Sequence, residues 1–367
     1  MEELIVHIAA AVNIWTLYPS NHPRVARAVE LIVDSVARVL LSSGRDAVTF
    51  LIVGEDVVAD DEVMRKSTLS HLQFIGSLKR RGVERLTLAA GVDPAETAAF
   101  VAALATGANL ESSQHVIFGR VDVNLEDENR DRKEETHELR PEQLNVVREA
   151  FAQFRSDQKL PLGAIEQLIW GFIDSLSKTT RSVLPLARLK EHDEYTFVHS
   201  VNVSLLVLGQ ARSFGIQGPM LHAFGTAALL HDIGKLMVPI SVLNHPGKLE
   251  GEQWATMQNH AAEGASYLGE IAGSSELASL VAYEHHLRYD MQPSYPVLKR
   301  PRRPNLVSRM TSIADCYDAM STVRPYQKPM MRSAALEMLQ KRSETFYDPL
   351  LVANFVRLVR DSGATAA

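Results

Sequence analysis

Eight of the thirteen histidines lie between His192 and His286. Neutral imidazole is the commonest biological metal ligand, so this crowding raises the question of a cation. Crowding along the chain is not yet a site, because several helices must also converge on one point. The stretch LLHDIGKLMVP sets His231 and Asp232 at the end of the apolar run AFGTAALL. A helix that is apolar nearly all round is buried. A buried histidine beside a buried aspartate is costly unless both have partners. A metal satisfies both, since nitrogen donates a lone pair and carboxylate oxygens can bridge two cations. Taken alone, such a pair reads better as a helix-end histidine with an aspartate cap.

The pair is not alone. EYTFVHSVNVSLLVLG sets His199 early in another strongly apolar helix. QNHAAEGASYLGEIAG sets His260 in a helix with apolar spacing, and VAYEHHLRYD sets His285 and His286 at a helix end. SRMTSIADCYDAM sets Asp315 and Asp318 inside a further helix that otherwise reads as core. Each is an ordinary polar residue when read singly. Together they lie on five expected helices, all beside apolar faces.

The elements around them fall into two parts. Val25 to Leu41 has helical apolar spacing, Ala47–Val53 reads as a strand, GED as a turn and VVAD as a return strand. A helix is expected from Thr68 to Arg81, ended by Gly82, and ERLTLAA reads as another strand. Asp93-Pro94-Ala95-Glu96 carries an N-cap, a proline at the first helical position and a reaching carboxylate. NIWTLYPSNHP suggests a structured turn at Tyr18 to Pro23. These features predict a small α+β domain over 1–123, with a regulatory or dimerising role. Asn124–Arg140 is a dense mixed charge run, read as a solvated linker. From Pro141 onward helical spacing continues almost to the end, with breaks at Gly215, Gly234 and Pro246-Gly247, which predicts an all-α domain over 141–367.

The bulk properties narrow the function classes. The net charge is −6 and the pI about 6.1, which gives no electrostatic footprint for duplex nucleic acid. A single cysteine, Cys316, excludes a disulfide framework. No apolar run reaches membrane-spanning length, and the N-terminus lacks the basic region of a secretory signal. A cytoplasmic protein is expected.

HDIGKLMVP, then HPGKLEGEQWATMQNHAAEGASYL, then EHHLRYD…SYP, then IADCYDAMSTVRPYQ, follow one another over about His192 to Pro329. In order and approximate spacing this series resembles the HD-GYP branch of the HD phosphohydrolases. The resemblance implies an all-α HD-type catalytic domain with two divalent metal ions, iron or manganese, held by His199, His231, Asp232, His260, His285, His286 and Asp315. It makes Asp232 the bridging carboxylate and pairs it with Lys235 in catalysis. It sets Lys235 and Arg324 on substrate phosphate and places Tyr295 and Asp318 among the substrate contacts. Lys235 reads otherwise as a cation closing a helix C-terminus. Where some members place a glutamate for a third metal, Tyr195 stands here, so two metals are expected.

The implied activity is a signalling phosphodiesterase that cleaves cyclic di-GMP to linear pGpG or GMP. The sequence departs from the family at one loop. The family pattern Asp-Gly-x-Gly-Tyr-Pro is replaced by Asp290-Met291-Gln292-Pro293-Ser294-Tyr295-Pro296. Both glycines are gone and Pro293 has entered, so the backbone before Tyr295 is expected to take another path. That change bears on substrate shape or on a protein partner that reads the loop, and it motivates a second reading: a nucleotide-binding scaffold with weak or no turnover. A basic position usual in the family holds Gln327, followed by Lys328. Lys299-Arg300-Pro301-Arg302-Arg303 reads as a solvated face, or as a guide for an anionic ligand.

Overall fold

Apolar residues at positions 25, 28, 29, 32, 36 and 40 recur every three or four residues, and in the computed structural model they form the buried stripe of one helix. The structure describes residues 1–53, 56–59, 62–64, 69–119, 141–157, 159–178, 195–243, 245, 247–271, 273–322 and 329–361. The charged run 124–140, the turn residues Gly54 and Glu55, His192, Arg324, Gln327 and Lys328 lie outside them. The chain divides into two compact units, Met1–Val123 and Asn124–Ala367.

The first unit carries helices α1 (Glu2–Leu17), α2 (Pro23–Ser43), α3 (Leu69–Lys79) and α4 (Pro94–Thr106). Its strands are β1 (Ala47–Val53), β2 (Asp56–Ala59), β3 (Glu62–Met64), β4 (Arg85–Ala89) and β5 (Val116–Gly119). The strands form one antiparallel sheet in the order β3-β2-β1-β4-β5. Phe50 pairs with Ala59 on one side and with Leu86 on the other, which fixes the register of the central strand. A core of Leu4, Ile5, Ile8, Phe50, Leu86 and Val101 lies among these elements.

The ends of α2 and α4 follow local chemistry. His22 accepts from Arg24 N at 3.2 Å and stacks on Tyr18 at 4.4 Å, so the Tyr18–Pro23 turn is built around a cap. Asp93 accepts from Glu96 N at 2.8 Å, and the Glu96 side chain reaches back to close the capping box. The helix α1 and the edge strands β3 and β5 were not anticipated. Strands this short carry too few residues to show an alternating pattern.

The second unit is helical among its described residues, apart from a single bridge between Ser343 and Tyr347. Its helices are α5 (Pro141–Asp157), α6 (Leu162–Ser177), α7 (Tyr195–Ser213), α8 (Gly218–Leu229), α9 (Ile240–Leu243), α10 (Gly251–Gln258), α11 (His260–Glu270), α12 (Glu276–Glu284), α13 (Leu306–Ser321), α14 (Arg332–Lys341) and α15 (Pro349–Asp361). The helix α7 is buried on all sides, with Val201, Val203, Leu205, Leu206, Val207 and Leu208 at most 2% exposed. It packs between α8 and α13, while α12 packs on α8, α11 and α13. Buried polar links fix these contacts. Gln210 donates to Leu351 O at 2.8 Å, Ser204 donates to Gly225 O at 2.8 Å, and Arg309 is paired with Asp348. No helix among the described residues is long and apolar enough to cross a membrane.

Candidate metal centre

Five segments of the helical unit end on one buried point. His199 comes from the first turns of α7, and His231 and Asp232 from the turn that follows α8. His260 opens α11, His285 and His286 follow α12, and Asp315 lies on α13. The turn after α8 continues as a single 3-10 turn, Ile233–Leu236, where a helix break was expected at Gly234. Gly234 has a steric reason. A Cβ built there would lie 2.0 Å from the carbonyl oxygen of His260, so only glycine lets the His231–Asp232 turn seat against the start of α11.

The donor atoms form two groups. Asp232, His260, His285 and His286 each offer one atom within 4.8 Å of the others, and so do His199, His231 and Asp315. Asp232 joins the groups. Its Oδ1 faces His260 Nε2 at 3.3 Å and His285 Nε2 at 3.6 Å. Its Oδ2 faces His231 Nε2 at 3.3 Å and His199 Nε2 at 3.7 Å. Asp232 thus turns one oxygen toward each group.

Hydrogen bonds behind the rings set the protonation at the centre. His231 Nδ1 donates to Ala228 O at 2.8 Å, His260 Nδ1 to Met257 O at 2.6 Å and His285 Nδ1 to Ala282 O at 2.9 Å. A carbonyl oxygen only accepts, so each Nδ1 carries the proton and each neutral ring turns a bare Nε2 lone pair inward. The consequence is a repulsive arrangement. His260 Nε2 and His285 Nε2 face each other at 3.4 Å, beside an ionised carboxylate. His231 Nε2, His286 Nε2 and Asp232 Oδ1 are buried with no hydrogen-bond donor. Acceptors crowded without donors are expensive. Cations remove the conflict, so the side chains present fit bound divalent metal.

Electrostatics agree with that fit. Burial pushes His285 down to about 4, and burial with the neighbouring His285 holds His286 well below its ordinary value. Burial would raise the Asp232 carboxyl, but its neighbours, led by the Lys235 ammonium, outweigh it and hold the group well below the carboxylate range. His199 differs: burial would lower it, but its hydrogen bonds to Asp315 and Asp318 lift it to about 9, so a cation binding there must displace the Nε2 proton.

Three residues expected at the site stand elsewhere or at its edge. Asp318 is fully buried behind His199. It accepts from His199 Nδ1 at 2.7 Å, from Asn202 Nδ2 at 2.8 Å and from Thr322 Oγ1 at 2.9 Å. That position corrects its expected place among the substrate contacts: no substrate reaches it, and it acts by holding His199. Lys235 is partly exposed, with Nζ 2.5 Å from Asp232 Oδ2. Tyr295 stands at the edge, its ring 4.4 Å from that of His286. Arg324 lies outside the described residues.

The altered loop is anchored at its root. Asp290 accepts from Arg288 Nε at 2.9 Å and from Gln292 N at 3.0 Å, and Tyr289 N donates to Phe346 O at 3.1 Å. Met291, where the family pattern has its first glycine, adopts φ 61°. The Tyr295-Pro296 peptide is cis.

Sequence reasoning missed Glu284. It is fully buried, pairs with Arg302, and accepts from Asn305 N at 2.7 Å and Ser308 Oγ at 2.9 Å. It thereby ties the end of α12, and with it His285 and His286, to the start of the helix that bears Asp315. Arg302 and Arg303 are exposed, as a solvated face requires, and are also engaged with the protein, Arg302 with Glu284 and Arg303 4.6 Å over the Tyr289 ring.

A family model described as an HD domain matches residues 177–351, the segment that supplies every donor of this centre. Over 209 residues the chain is 34% identical to a cyclic di-GMP phosphodiesterase of Pseudomonas aeruginosa, covering 57% of this chain and 50% of that protein. It is 35% identical over 155 residues to a 3'3'-cGAMP-specific phosphodiesterase of Vibrio cholerae, covering 42% of this chain and 33% of that one. It is 29% identical over 225 residues to a cyclic di-GMP phosphodiesterase response regulator of Xanthomonas campestris, covering 60% of this chain and 59% of that one. Residues 177–351 carry an HD domain similar to those of cyclic dinucleotide phosphodiesterases. The chain spans between a third and about three-fifths of these relatives' lengths.

Proposed function

We propose that this chain is a metal-dependent phosphodiesterase that hydrolyses cyclic di-GMP to linear pGpG or GMP. One observation carries the reading: bare imidazole nitrogens and both oxygens of Asp232 are aimed into one buried space as two donor sets sharing a carboxylate. The names of the relatives, all cyclic dinucleotide phosphodiesterases, support the substrate class.

Two divalent cations, bound by His260, His285 and His286 on one side of Asp232 and by His199, His231 and Asp315 on the other, would supply Lewis acidity to the phosphodiester and ease deprotonation of an attacking water. Nitrogen and oxygen donors suit iron or manganese. The protein's own groups prepare the rest. Asp232 stays ionised and offers one oxygen to each donor set. Ala228, Met257, Ala282 and Asp318 hold the rings in the tautomer that ligates. Lys235, itself partly exposed, brings a positive charge beside Asp232 Oδ2, where a phosphate oxygen would arrive, and Arg324 would provide a second such contact. Tyr295 presents a phenol that burial, Asp315 and Asp232 all keep neutral, so it can donate a hydrogen bond. The unit over 1–123 senses a signal or dimerises, with 124–140 as its link to the catalytic residues 141–367.

The test is purification with iron or manganese under reducing conditions, followed by measurement of both binding and product with cyclic di-GMP. Product that disappears in His231→Ala and Asp232→Ala supports the enzyme. Tight binding without product at full metal occupancy would assign the chain to a nucleotide-binding scaffold, and the loop around Met291 would then be the reason. Hydrolysis of a different phosphate ester alone would keep the chemistry and overturn the substrate.

A further inference from the structure

The helix α10 has no buried residue in its eight positions, yet it carries a tryptophan. Trp254 is 42% exposed, so it does not serve a core. Its ring lies edge-to-face on Tyr295, with centroids 5.8 Å apart and planes at 81°. Tyr295 in turn lies 4.4 Å from His286 and 6.2 Å from His260. An aromatic step thus leads from the metal ligands through Tyr295 to a partly open indole. A nucleobase joined through its ribose to a phosphate at the cage would fall outward by about that step.

Resting on the reading that the substrate is a cyclic dinucleotide, we propose that Trp254 is its base-binding residue, stacking one purine while Tyr295 holds the indole from the side. The large flat ring offers area with little conformational freedom to lose. Every base has a π face, so this contact selects for a nucleobase without choosing which purine it is. Trp254 thereby separates a dinucleotide from a bare phosphodiester of the same charge.

The experiment compares wild type, Trp254→Ala and Trp254→Phe in the metal-loaded full chain. Trp254→Ala is expected to raise KM for cyclic di-GMP by on the order of tenfold, with kcat and metal content unchanged. Trp254→Phe should restore most of the loss. In a Trp15→Phe, Trp170→Phe background, where Trp254 alone fluoresces, a phosphorothioate analogue of cyclic di-GMP should quench the emission. Unchanged KM and no quenching would overturn the inference while leaving the activity standing. A fall in kcat with loss of metal, unrescued by Trp254→Phe, would overturn it too, since Trp254 would then only support the cage. If the wild type neither binds nor cleaves cyclic di-GMP, the functional reading fails first and this inference fails with it.

Discussion

Asp318 takes a hydrogen bond at 2.7 Å from the Nδ1 of His199, 119 residues earlier in the chain. The contact fixes which nitrogen of His199 faces the centre, and Asn202 and Thr322 hold the carboxylate in turn. Carboxylate–histidine–metal relays of this kind tune affinity without touching the cation.

Replacing Asp318 with asparagine preserves the volume and removes the charge that orders the ring. Metal affinity at the His199, His231 and Asp315 set should fall about 10–100-fold. Metal analysis after graded dialysis should show one cation lost well before the other. Equal retention of both would mean that Asp318 does not orient His199.

Gly234→Ala drives a Cβ into the His260 carbonyl, a backbone atom that cannot swing away. The expected cost is about 2–3 kcal/mol, in the range of overpacked cores, or larger if the turn is expelled. Thermal unfolding in the presence of manganese should show a lowered midpoint together with a lower metal stoichiometry. An unchanged midpoint would contradict the close approach.

Met291→Gly removes a side chain from the left-handed region, at φ 61°. A non-glycine residue there costs roughly 1–2 kcal/mol, and the greater freedom of glycine in the unfolded chain takes back about 0.5–1 kcal/mol. A net gain of about 0.5 kcal/mol is expected, whereas the β-branched Met291→Val should lose stability. Urea unfolding of the three proteins measures both signs.

In the first unit Glu96 is held down to about 2, chiefly by its hydrogen bond from Ser113, with His115 adding to it. A depressed carboxyl contributes stability that is full above its unfolded value of about 4.3 and is lost as pH falls toward 2. Glu96→Gln should therefore flatten the loss of protection of α4 amides between about pH 5 and pH 2, read by hydrogen exchange. The same steepness in the variant would show that another group governs the acid transition.

Apolar spacing revealed α2 and most helices of the second unit because a buried face repeats with the helix itself. It also pointed to the candidate donors His231 and Asp232, which close an apolar run in which unpaired polar groups are not tolerated. Asp315 and Asp318, three apart on one helix, look equivalent in sequence; only α7, packed across them, sends one to the centre and the other behind His199. Glu284 stayed hidden because its partners come 18–24 residues later, from a segment with no local periodic link to it. The φ of Met291 was equally out of reach. It follows from closing the chain between the Asp290 turn and the strand-like contacts with Thr345 and Phe346.

The cage draws on segments strung from residue 199 to residue 315, so no fragment of the loosened chain can reproduce it. A cation that recognises only the finished arrangement acts as a clasp. At a hundredfold excess over its Kd each would deepen the native basin by about 2.7 kcal/mol. Starved of metal, the same polypeptide would become easier prey for proteases, and cellular metal supply would govern how much of it persists as well as how fast it works.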